Sequence, residues 1–90
     1  MYTGNIRNYR NGNNQLVVEV IQATLSEADR QWLPTDKDGT NYTASFAGWF
    51  YEHHVGCASS KRGALADLAE QSQTTVRWIE GNCEIRESES

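Results

Sequence analysis

Ninety residues, 38% hydrophobic and 22% charged, describe a single globular domain and exclude collagen-like, coiled-coil and wholly disordered chains. Eight basic against twelve acidic residues leave a formal net charge of −4. That balance argues against a protein that tracks nucleic-acid phosphates, yet it is too slight for a mimic of DNA. No run of eighteen apolar residues is present, and no apolar stretch follows Met1. A cytoplasmic chain without membrane spans is expected, with Cys57 and Cys83 as reduced thiols and the Asn41-Tyr42-Thr43 sequon fortuitous.

In chain order, Thr3–Arg10 reads as a first strand, and Asn11-Gly12 as the tight turn that pairs it with the next. Leu16-Val17-Val18-Glu19-Val20-Ile21 is apolar on both faces and predicts a strand in the sheet interior. Ser26 is placed to cap a short helix that Pro34 must stop, with Trp32 and Leu33 expected to point inward. Asp38-Gly39 marks a second turn. From Thr40 to Cys57 alternation resumes, broken at Gly48. Tyr42, Ala44 and Phe46 share one face; beyond the break Trp49, Tyr51, His53, Val55 and Cys57 share another. Two strands, or one long bent strand, are expected there.

Ser60 caps the main predicted helix over Lys61–Ser72, where Ala64, Leu65, Leu68 and Ala69 recur at helical spacing. Thr74–Glu80 is expected as a strand on its β-branched residues, although Ser72, Val76 and Ile79 also continue the helical stripe. A turn at Gly81-Asn82 and a last strand at Cys83–Arg86 complete the domain, leaving residues 87–90 as a short polar tail. The predicted class is α+β: an antiparallel sheet of about five strands with one main helix packed on one face, over residues 1–86.

Chemistry is sparse. Glu52-His53-His54-Val55-Gly56-Cys57 is the densest cluster of potential ligands. On a strand, however, His53 and His54 point to opposite faces, and His53 lies about 13 Å from Cys57. A Cys57 nucleophile activated by a histidine and the Ser60 helix has no recognisable local pattern. Asp36-Lys37-Asp38-Gly39 fails as a calcium loop, because Pro34 and Ser45 would stand at its two end positions. The glycines are spaced as turn residues and form no phosphate loop. No catalytic, cofactor-binding or metal-binding residues are assigned.

Sheet aromatics can stack single-stranded bases, but the cations here never cluster beyond a pair. Tyr42-x-Ala44-x-Phe46 followed by Ser60-x-x-x-Ala64-Leu65-x-x-Leu68 is similar to the strand-then-helix pattern of HicB-type antitoxin N-terminal domains, over under a third of the chain. The acidic loop and C-terminal DNA-binding segment of that family have no counterpart here, and no residue roles are carried over. The resemblance implies an antitoxin-like domain as an alternative, beside single-stranded nucleic-acid binding.

Three Trp and four Tyr exceed what a small core requires, and these residues anchor protein interfaces. The expected function is therefore a small, acidic, non-enzymatic module. It would act as a regulator or inhibitor, of the kind mobile elements or phages carry, by occupying a partner protein's surface. Tyr42, Phe46, Trp49, Tyr51 and His53 are the expected partner-binding residues. A homodimer closed by the same face is the competing expectation, since it would enlarge a small core.

Overall fold

The computed structural model describes residues 10–48 and 54–89. They form β1 (Leu16–Thr24), α1 (Glu27–Arg30), β2 (Thr40–Phe46), β3 (Val55–Ala58), α2 (Lys61–Gln71), α3 (Val76–Asn82) and β4 (Cys83–Glu89). The strands make one sheet in the order β3-β2-β1-β4. β2 runs antiparallel to both β1 and β3, with Val18 opposite Phe46 and Thr43 opposite Cys57. β4 runs parallel to β1, with Leu16 opposite Cys83 and Val18 opposite Ile85.

The domain is thus α+β, but its described sheet is mixed and four-stranded, where an antiparallel sheet of about five was expected. The described residues hold three helices: the expected main helix α2, the expected short turn α1, and α3, which was not expected. The sheet is mixed because of the crossover: α2 and α3 carry the chain from one edge of the sheet to the other, and a connection of that kind can return a strand in the parallel sense. Residues 87–89, expected as part of a tail, are the end of β4.

β1 is one of the two interior strands, as its two-faced apolar run predicts, and Val17, Val18 and Val20 are buried. Both of its edges are in use from the outset. Ala47 N donates to Val17 O at 2.9 Å on the β2 side, and β4 lies along the other. Among the described residues the expected pairing of Thr3–Arg10 with β1 is one bridge, Arg10 to Leu16, and residues 3–9 lie outside them. The turn between is organised by Asn11, whose Oδ1 accepts from Asn13 N and Gln15 N. Its left-handed residue is Asn14, at φ 60°, and not the expected Asn11-Gly12 pair.

Strand alternation sorts the core. Val18, Val20, Ala44 and Cys83 face the helices, together with half-buried Leu16, Tyr42, Phe46, Ala58 and Ile85. α2 answers with Ala64, Leu65, Leu68 and Ala69, and α3 with Ile79. Ser60 Oγ accepts from Gly63 N at 3.0 Å, which is the predicted cap of α2. The Thr74–Glu80 strand is corrected to helix α3. Thr75 Oγ1 accepts from Trp78 N at 3.0 Å and caps it, so the β-branched pair marks a helix start. Val76 and Ile79 are helical, but they do not continue α2, which ends at Gln71 before Gln73 turns left-handed at φ 58°.

The two outer strands are protected differently. On β3, Cys57 N donates to Asp67 Oδ2 and Gln71 Nε2 donates to Val55 O, both at 2.9 Å, so α2 side chains close that edge. β4 carries Glu84, Arg86, Glu87 and Glu89, charges of the kind that blunt an exposed edge. Lys61 pairs with Glu87 and ties the start of α2 to β4. Cys57 and Cys83 sit on these opposite outer strands and on opposite faces. Three strand spacings, about 14 Å, separate them, far beyond disulfide reach. Both are free thiols. None of the described helices is long and apolar enough to cross a membrane.

Candidate functional site

Of the five expected partner-binding residues, the structure describes two. Tyr42 and Phe46 lie on the helix side of β2, half-buried against the core. Trp49, Tyr51 and His53 lie outside the described residues. The sheet face turned away from the helices carries Val17, Glu19, Ile21, Thr43, Ser45, Val55, Cys57, Glu84 and Arg86 by strand parity, with no aromatic among its described residues. A base-stacking platform needs aromatics on an open face, so the described sheet lends no support to that mode of binding.

Of the chemical cluster around Cys57, Glu52 and His53 lie outside the described residues. His54 is exposed, and the Cys57 thiol receives a hydrogen bond from Asn41 Nδ2 at 3.1 Å. Cys83 faces the core, and burial pushes its thiol pKa up, which suits a packing group better than a nucleophile. Among the described residues, no group of three or more His, Cys, Asp or Glu side chains is arranged to hold a metal ion.

The most distinctive surface lies elsewhere, in the excursion over residues 25–39 that joins β1 to β2. α1 is a single turn: Ser26 Oγ accepts from Asp29 N at 3.3 Å, and Trp32 N and Leu33 N both donate to Asp29 O, at 3.1 and 3.2 Å. Pro34 follows at once and ends the turn. One turn of helix cannot bury both following apolar residues. Trp32 is 82% exposed and Leu33 is 42% exposed, so the inward orientation expected of them is corrected.

This tip stands on a built base. Leu25 N donates to Gly39 O at 2.9 Å, closing the neck of the excursion. Arg30 Nε donates to Leu25 O at 3.1 Å, and its guanidinium lies over Gly39, where an added Cβ would come within 2.2 Å of it. Gly39 has φ +81°, the left-handed conformation that the Asp38-Gly39 signal predicts. Buried Asn41 donates from Nδ2 to Pro34 O at 2.8 Å, fixing the chain one residue after Leu33.

Asp36 closes the return to β2. Its Oδ1 accepts from Thr40 N and Asp38 N at 3.0 and 2.9 Å, and its Oδ2 accepts from Tyr42 OH at 3.4 Å. The Thr40 N–H is the main cause of an Asp36 pKa below the ordinary carboxylate value, with Asp38, Tyr42 and the Lys37 charge adding to it. Tyr42 is raised in turn, by burial first and then by the Asp36 charge.

Because the folded pKa of Asp36 is depressed, its contribution to stability is complete above the unfolded value and fades as pH falls through the folded one. Asp36→Asn should therefore be less stable than the native chain at neutral pH. The gap should narrow as pH drops from about 5 toward 2. Urea midpoints of both proteins across that range test this; a gap independent of pH would show that the carboxylate charge is not what holds the turn.

A second exposed aromatic, Trp78, is 44% exposed on α3. α3 leads directly into Cys83, opposite Leu16 at the start of β1, whereas the Trp32 loop leaves from the end of β1. The two indoles thus belong to opposite ends of the sheet and do not form one patch. The signal that could have marked Trp32 and Leu33 as surface residues was Pro34: placed eight residues after the Ser26 cap, it leaves no room for an amphipathic face. Comparison with protein-family models, curated proteins and solved structures returns no match.

Proposed function

We propose that this chain is a small, acidic, non-enzymatic protein-binding module that acts by occupying a partner protein's surface, as a regulator or inhibitor. The observation that carries the reading is Trp32, 82% exposed beside half-exposed Leu33 on a loop whose backbone is tied at both ends. Covering one such indole removes on the order of 150 Å² of mostly apolar surface from water, worth roughly 4 kcal/mol before the costs of association. Trp is also enriched among the few residues that dominate interface energies, and a fixed loop spends little entropy on ordering when it docks.

A tagged chain recovered from its native cells with and without nuclease, together with light scattering for its mass, tests the class. One stoichiometric protein partner that survives nuclease is expected. Partners lost to nuclease would overturn the reading in favour of nucleic acid. Trp32→Ala should cost less than about 0.5 kcal/mol in folding stability, since the side chain supports nothing in the fold. A loss of several kcal/mol in a urea titration would show instead that Trp32 belongs to the core.

A further inference from the structure

The Trp32 tip also carries a charge pattern that narrows the kind of surface it fits. Glu27, Asp29 and Asp38 are exposed on the same excursion, and Asp36 stands below them with its charge held on by main-chain N–H groups. Its two cations, Arg30 and Lys37, are exposed as well, Arg30 donating to Leu25 O and lying over Gly39, so four carboxylates stand against two cations. An apolar tip surrounded by a carboxylate excess is complementary to an apolar pocket with a basic rim. It is ill-matched to an acidic surface, where like charges would be pressed together on docking.

Resting on the protein-binding reading, we infer that residues 25–39 dock into a cationic, pocket-bearing surface of a partner protein. Trp32 and Leu33 fill the pocket, and Glu27, Asp29 and Asp38 face its rim. The two parts have separable kinetic signatures. The buried anchor governs dissociation, whereas rim charges govern the association rate and its salt dependence.

The test places a photo-crosslinking amino acid at Gln31, exposed beside the tip, and as a control at Arg77, exposed on α3. Both are irradiated in cells that produce the chain natively. A discrete protein adduct from position 31, absent from position 77, is expected; that protein is then purified and titrated with the full chain. Trp32→Ala should weaken the complex at least about 100-fold, mostly through faster dissociation, with its urea midpoint unchanged. Glu27→Lys combined with Asp38→Lys should slow association several-fold and flatten its dependence on salt.

No adduct at position 31, or a complex indifferent to Trp32→Ala, overturns docking through this loop even where the chain binds a protein elsewhere. A Trp32-dependent complex whose association ignores both salt and the lysine substitutions overturns the cationic partner alone and leaves the protein-binding reading standing. A covalent dimer of the chain would assign the tip to a second copy, and a nucleic-acid adduct would overturn both readings.

Discussion

Gly56→Ala is expected to be among the most damaging single substitutions in the domain, costing about 3 kcal/mol or more of stability. β3 lies directly on α2 at this point. A Cβ on Gly56 would come within 2.1 Å of Ala64 O and 2.5 Å of Leu68 N. Both obstacles are main-chain atoms of a helix, so neither can swing aside as a long side chain would. Relief requires α2 to lift from the sheet, and that movement would open the packing of Ala64, Leu65 and Leu68 together. It would also pull Asp67 and Gln71 away from the outer edge of β3. A domain of this length holds roughly 5–13 kcal/mol in total, so the variant should unfold at a much lower urea concentration than the native chain. A midpoint within about 0.5 kcal/mol of the native one would mean that strand and helix are not in this contact.

Ile79→Ala should cost about 3 kcal/mol. Ile79 is fully buried and is the one buried residue of α3, whose seven residues have little helical stability of their own. With that anchor gone, the helix should lose its hold on the core. Amides within residues 76–82 should then exchange with solvent far faster than those of α2. Trp78, next to it but 44% exposed, offers the control. Trp78→Ala should cost less than half as much, with exchange of α3 little changed. Equal losses at both positions would fit an extended segment buried on both faces and would contradict the helix.

What the residues disclosed by inspection were the features set by local chemistry. Ser60 followed by Ala64, Leu65, Leu68 and Ala69 specifies a helix and its buried side within one short stretch. Leu16–Ile21 reads as an interior strand because both of its faces carry β-branched or apolar residues, although Glu19 and Ile21 are exposed on the face away from the helices. The misreadings arose where a non-local partner decided the outcome. Thr74-Thr75-Val76 has strand propensity, but Thr75 is used as a cap and Ile79 is claimed by the core, and tertiary burial outweighs a preference worth tenths of a kcal/mol. The sense of β4 was invisible for the same reason, because nothing within Cys83–Glu89 records which strand lies beside it.

The expected contact surface is described only in part, since Trp49, Tyr51 and His53 lie outside the described residues. Tyr42 and Phe46, expected on an exposed sheet face, lie on the helix side because they alternate with buried Ala44. Large apolar residues are usually buried, which is the reason Trp32 is expected inside. Its exposure became legible only once the helix before it proved to be one turn long.

The pairing of β1 with β4 also bears on the order in which the molecule can be assembled as it leaves the ribosome. The first described strand occupies the middle of the sheet, and one of its two neighbours is the last described strand, 67 positions later from Leu16 to Cys83. While synthesis proceeds, β1, β2, β3 and α2 can gather, but one side of β1 stays bare, with Val18 and Val20 lacking cover from Ile85 and its neighbours. Such long-range closure is slow, and an open, apolar strand edge is a site for misassociation. The nascent chain should therefore remain protease-sensitive until Cys83–Glu89 emerges. Stop codons placed before Cys83 should yield products that aggregate, and not a smaller folded domain.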